Sequence, residues 1–217
     1  MGKKLIITGT GRCGSSFIHN VLTDCEFKLG KHEHQIKEHG GTLNFGWNKY
    51  ISNESIHPND KHDWLSIGLV RSPLQCISSL TTISSWDRHN KKFSVELKKS
   101  NSTLHKSMLY YYHVNNYLYE LHKNNKLDGL FGIDHLNDMD GKQFIEFHSI
   151  CNSVKKIDIN NFRKKYVHRG TKFNSRKHKN HTINDLKTED LKLYEKIEKL
   201  AQKLNYSIHG ENIINDK

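Results

Sequence analysis

The sequence predicts a three-layer α/β fold, with a mostly parallel sheet between two layers of helices. Three observations predict it. Short apolar runs alternate along the chain with stretches of helical period, which is the pattern of repeated strand–helix units. The first run, "KKLIIT", leads directly into a glycine-spaced turn and a serine pair, "GTGRCGSS". A later run, "WLSIGLVR", closes on an arginine, and Pro73 follows at the start of the next helical stretch.

Each element follows from its residues. Residues 3–8 form a short buried strand through Leu5, Ile6 and Ile7. Gly9 to Gly14 is the turn, and Ser15 or Ser16 caps a helix with Phe17, Ile18, Val21 and Leu22 on its apolar face. Residues 25–33 give a second short strand, and residues 34–62, polar and without period, give loops and short helices. Residues 64–71 are a third strand, "SPLQCISSL" is a helix, and residues 85–100 are a loop. A long helix runs from Ser102 to Asn124, with Leu104, Met108, Tyr111, Tyr112, Leu118 and Leu121 near helical spacing. Residues 129–136 are a fourth strand, and residues 140–151 are a helix with Phe144, Phe147 and Ile150 inward. Residues 163–181 are a basic loop. A last helix spans Thr188 to Leu204, capped by Thr188, with Leu193, Ile197, Leu200 and Leu204 as its stripe.

Composition bounds the function. The 217 residues suit one domain, residues 1–217, with a single core and no linker. Lys and Arg number 34 against 23 Asp and Glu, a net charge of +11 that favours anionic ligands. Cys13, Cys25, Cys76 and Cys151 form no CxxC pair, so neither a zinc site nor a disulfide framework is expected. No run is long enough to span a membrane, and the N-terminus lacks a signal-peptide pattern, so a cytoplasmic protein without a membrane partner is expected.

The chemistry concentrates at two strand ends. In parallel α/β sheets, ligands bind beyond the C-terminal ends of the strands, and both the glycine loop and Arg71 fall there. The N–H groups of residues 11–16, at a helix N-terminus, can converge on an anionic oxygen cluster. A nucleoside-triphosphate loop would continue after Gly14 with Lys and Ser or Thr. Here Ser15 and Ser16 follow, and the only long cation is Arg12, inside the turn.

The stretch "GTGRCGSSFIHNVL" resembles the 5′-phosphosulfate loop of sulfotransferases that use 3′-phosphoadenosine-5′-phosphosulfate (PAPS). Its arginine form is similar to tyrosylprotein and bacterial sulfotransferases. A second motif of that family is an arginine ending a strand, with a serine eight residues later; Arg71 and Ser79 have that spacing. "YYYHVNNYLYEL", "GIDHLNDMDGKQFIEF" and "RGTKFNSRKHKNHTINDLKTEDL" are more loosely similar to the family's long helix, its last core strand with the following helix, and its late basic loop.

The resemblance implies a P-loop-NTPase-like fold and transfer of a sulfuryl group from PAPS to an acceptor hydroxyl on a glycan, small molecule or tyrosine. Adenosine 3′,5′-bisphosphate is then the product, and no metal is required. Gly11, Arg12, Cys13, Gly14, Ser15 and Ser16 would hold the 5′-phosphosulfate, and Arg71 and Ser79 the 3′-phosphate. Arg169 and Gly170, with Asn174, Ser175 and Arg176, would contribute from the basic loop. Arg12 would also stabilise transition-state charge. The base would be Glu33, 21 residues after Arg12, with His32 and His34 as competitors. Trp47, Tyr50 and Trp86 could line an acceptor cleft.

Two other functions fit parts of the sequence. A kinase or NTPase with a degenerate phosphate loop would need an acidic magnesium partner, for which Asp134 is the nearest candidate. A non-catalytic polyanion-binding module accounts for the charge but not for the paired strand-end motifs; nucleic acid is not expected as a partner.

Overall fold

The computed structural model describes residues 2–31, 36–44, 63–83, 94–170 and 180–208. Among the described residues, five strands form one sheet: β1 (Lys4–Gly9), β2 (Leu29–Lys31), β3 (Gly40–Asn44), β4 (Trp64–Val70) and β5 (Gly129–Gly132). Their order is β2-β3-β1-β4-β5, and every pairing is parallel. β1 is central, and its Leu5, Ile6 and Ile7 are fully buried. A strand covered on both faces needs such a continuous apolar run.

Helices cover both faces. On one lie α1 (Ser15–Asp24), α5 (Lys142–Val154) and α6 (Ile159–Gly170), packed through Ile18, Leu22, Phe144, Phe147 and Phe162 onto Leu5, Ile7, Ile67, Leu69 and Phe131. The other core joins α2 (Pro73–Leu80), α4 (Thr103–Lys123), α7 (Ile183–Glu189) and α8 (Leu191–Lys203) through Ile77, Leu80, Met108, Tyr111, Leu118, Leu186 and Ile197. The expected three-layer α/β fold is therefore present, and the helix from Ser102 to Asn124 has those two residues as its caps.

Four elements differ from the sequence expectation. β3 lies in the stretch read as loops and short helices. Its "GGTLN" offers no apolar run, because the strand's core contribution is its close approach to β1. Gly40 has φ 117°, and a Cβ there would run into the Leu5 carbonyl. Gly40→Ala is therefore expected to destabilise the fold by about 2–3 kcal/mol, read as a lower midpoint in chemical denaturation. A short helix, α3 (Ser94–Lys99), lies within the expected 85–100 loop.

α6 occupies the first part of the expected 163–181 basic loop. Only Phe162 and Tyr166 among its residues are buried, a narrow stripe hidden among Arg and Lys. Tyr166 meets Phe17 edge to face at 4.9 Å. The last helix also begins differently. Thr188 is inside α7, which starts with a reciprocal box: Asp185 N–H donates to Thr182 Oγ1 at 3.2 Å, and Thr182 N–H to Asp185 Oδ2 at 2.7 Å. Asp190 then caps α8 by accepting the Leu193 N–H at 2.9 Å.

Candidate functional site

The chain leaves β1 through α1 toward β2 on one side of the sheet, and leaves β4 through α2 and α4 toward β5 on the other. β1 and β4 are neighbours, so the crevice beyond their C-terminal ends is a topological switch point, where open α/β sheets bind ligands. The glycine loop follows β1 and Arg71 follows β4.

The loop's backbone explains its residues. A Cβ on Gly9 would strike the Cys13 sulfur and approach the Leu69 carbonyl to 2.6 Å. Cys13 N–H closes the turn on the Thr10 carbonyl at 3.3 Å. Arg12 takes a left-handed φ of 68° and Gly14 one of 94°; a Cβ on Gly14 would lie 2.7 Å from Ile133 Cγ1. Gly14, rather than Ser15 or Ser16, is the N-cap of α1, and as a glycine it brings no capping side chain; the Cys13 sulfur is hydrogen-bonded with Ser15 at this helix start. First-turn N–H groups have no intrahelical acceptor, and the helix dipole favours an anion there. Ser15 is buried and Ser16 is exposed.

Beneath the loop, Thr10 Oγ1 lies 3.5 Å from Cys76 Sγ, and the Cys76 thiol faces the Gly11 carbonyl at 3.8 Å. Burial pushes the Cys13 thiol up to about 11 and the Cys76 thiol up to about 12. Both are protonated near neutrality, so Cys13 serves the loop through its backbone and as packing, not as a nucleophile. All four cysteines are free and buried. Titration of the native protein with an aromatic disulfide reagent is expected to release no thiolate rapidly, and all four only after denaturant is added.

Arg71 joins the two strand ends. Its Nη1 donates to the Arg12 carbonyl at 3.4 Å and its Nη2 to Gln75 Oε1 at 3.0 Å. Arg12 Nη2 donates to Thr82 Oγ1 at 3.2 Å, and that hydroxyl donates to the Ser79 carbonyl at 2.8 Å. Arg12, Arg71 and Ser79 are half-buried, while Ser16, Gln75 and Thr82 are exposed, so the cluster opens to solvent. Two guanidinium groups and the N-terminal end of α1 thus share one mouth, an arrangement chemically suited to two neighbouring anionic groups.

Arg169 and Gly170 are not part of this cluster. They end α6, and Arg169 forms a two-pronged ion pair with Asp24, at 2.5 and 2.6 Å. That hydrogen bond holds the Asp24 carboxyl below the usual carboxylate range. Asp24 is the last residue of α1, whose ten residues put it about 15 Å from the loop. A Cβ on Gly170 would meet nothing within 4 Å. His32, Glu33 and His34 lie outside the described residues, as do Trp47, Tyr50, Trp86, Asn174, Ser175 and Arg176.

The sequence pointed to neither Gln75 nor Thr82. Gln75 stands one helical turn after Arg71, the one local signal available. Asp134 is tied to the backbone N–H of Ser72 at 3.1 Å. Among the described residues, no group of three or more His, Cys, Asp or Glu could hold a metal ion, and no helix is long and apolar enough to cross a membrane.

Fold and site together define an α/β protein with a parallel five-stranded sheet and a glycine loop at its switch point. Comparison of the chain with protein-family models and with curated proteins gives no match.

Proposed function

We propose that the protein is a sulfotransferase that moves a sulfuryl group from PAPS to an acceptor hydroxyl. The contact between Arg71 and the Arg12 carbonyl carries this proposal, because it joins two motifs that are 59 residues apart. PAPS presents two separate anionic centres, a 5′-phosphosulfate and a 3′-phosphate. The loop with Arg12 suits the first, and Arg71 with Ser79 suits the second.

In the reaction, the acceptor oxygen bonds to sulfur as the bond from sulfur to the 5′-phosphate oxygen breaks. Negative charge grows on that departing oxygen. The loop N–H groups and Arg12 oppose it, and preorganised donors of this kind are strong stabilisers. Glu33 takes the hydroxyl proton, and adenosine 3′,5′-bisphosphate leaves. A cytoplasmic place of action belongs to the same proposal, supported by four free, buried thiols.

Calorimetric titration tests the nucleotide. Adenosine 3′,5′-bisphosphate is expected to bind without magnesium. Tighter, magnesium-dependent ATP binding would instead indicate a degenerate kinase-type loop. Salt-sensitive polyanion binding without either nucleotide would indicate a binding module. Labelled PAPS offered with panels of glycans, small alcohols and tyrosine peptides then identifies the acceptor.

A further inference from the structure

The peptide unit between Arg71 and Ser72 is gripped by two side chains remote in sequence. Tyr111, fully buried on α4, donates its phenolic O–H to the Arg71 carbonyl at 2.9 Å. On the other side, the Ser72 N–H donates to Asp134 Oδ2 at 3.1 Å, from the turn that follows β5. The carbonyl and N–H belong to one rigid plane and point in opposite directions. A bond on each side therefore fixes how that plane is rotated about the chain.

Pro73, the first residue of α2, keeps Ser72 in an extended backbone but does not itself bond the preceding peptide. Ser72 is the N-cap residue of α2, but its side chain makes no capping bond. Its carbonyl accepts the Cys76 N–H at 3.0 Å, which starts the helix without orienting the preceding peptide. The plane's rotation sets where the Arg71 side chain departs, and hence where its guanidinium meets the Arg12 carbonyl and Gln75. Burial holds the Tyr111 phenol well above its ordinary pKa, with Cys76 and Asp134 adding to the effect, so the O–H remains a donor.

We propose that Tyr111 and Asp134 are positioning residues for Arg71, a two-sided clamp that presets its guanidinium for a 3′-phosphate. The proposal rests on the sulfotransferase reading of the site. It gives Asp134 a backbone-holding role in place of magnesium binding. Presetting matters because an arginine already held in its binding geometry loses less freedom when the anion arrives.

The test titrates adenosine 3′,5′-bisphosphate and adenosine 5′-phosphate, with and without magnesium, into the full chain. The variants are Tyr111→Phe, Asp134→Ala and Asp134→Asn, each also in an Arg71→Ala background, with thermal unfolding followed in parallel. Tyr111→Phe and Asp134→Ala are each expected to weaken bisphosphate binding about fivefold and to leave the monophosphate within about twofold. Both losses should vanish in the Arg71→Ala background, because the clamp acts only through that residue. Asp134→Asn keeps an oxygen that accepts the Ser72 N–H, so it should stay within about twofold of the wild type. Equal losses for both nucleotides, losses that persist without Arg71, or an asparagine variant as weak as the alanine one would overturn the clamp. So would an Asp134→Asn variant that loses only magnesium-dependent binding, since Asp134 would then be a metal ligand. A wild type with no preference for the bisphosphate would overturn the reading of the site, and the clamp with it.

Discussion

Replacing Glu33 with glutamine is expected to lower turnover by about 10²–10⁴-fold while leaving bisphosphate affinity within about twofold. An acceptor hydroxyl holds its proton tightly at neutral pH. As its oxygen bonds to sulfur, that proton must go to a base, and a carboxylate can take it where an amide cannot. Glu33 follows the end of β2, Lys31, by two residues. β2 is parallel to β3, and β3 to β1, so β2 ends at the same C-terminal end of the sheet as β1, two strands from the glycine loop. The residues assigned to the nucleotide are others, which is why affinity is spared. Transfer from labelled PAPS measures the first quantity and calorimetry the second. If His32→Ala shows this behaviour and Glu33→Gln does not, the base is the histidine.

Arg71→Ala is expected to weaken adenosine 3′,5′-bisphosphate binding about a hundredfold or more. A guanidinium offers a phosphate two parallel N–H bonds with full charge, and the half-buried Arg71 is already held by the Arg12 carbonyl and Gln75. Arg71→Lys keeps the charge without the fork and should recover only part of the loss. Adenosine 5′-phosphate, lacking the 3′ group, should bind both proteins alike. Unchanged bisphosphate affinity in the alanine variant would remove Arg71 from the 3′-phosphate site.

What could be read from the sequence was local. β1, β4 and β5 were legible because "LII", "WLSIGLV" and "GLFG" are apolar runs bounded by turn residues. β3 was not, because its place depends on Gly40 packing against the backbone of Leu5, 35 residues earlier. α6 was hidden because two aromatic residues anchor twelve residues that are otherwise largely basic and polar. At the site, the loop and Arg71 follow from spacing along the chain. The grip of Tyr111 and Asp134 does not, since those contacts span 40 and 62 residues. Arg169 was legible as a cation, but its partner lies 145 residues away.

That distant partner bears on α1 as a whole. A helix accumulates negative partial charge at its C-terminal pole, and Asp24 adds a full negative charge there. Arg169 cancels it at close range. The helix therefore keeps its opposite, positive pole at Gly14 without a carboxylate's field drawing against it from behind. Arg169 acts as the counter-charge of a dipole whose working end it never touches.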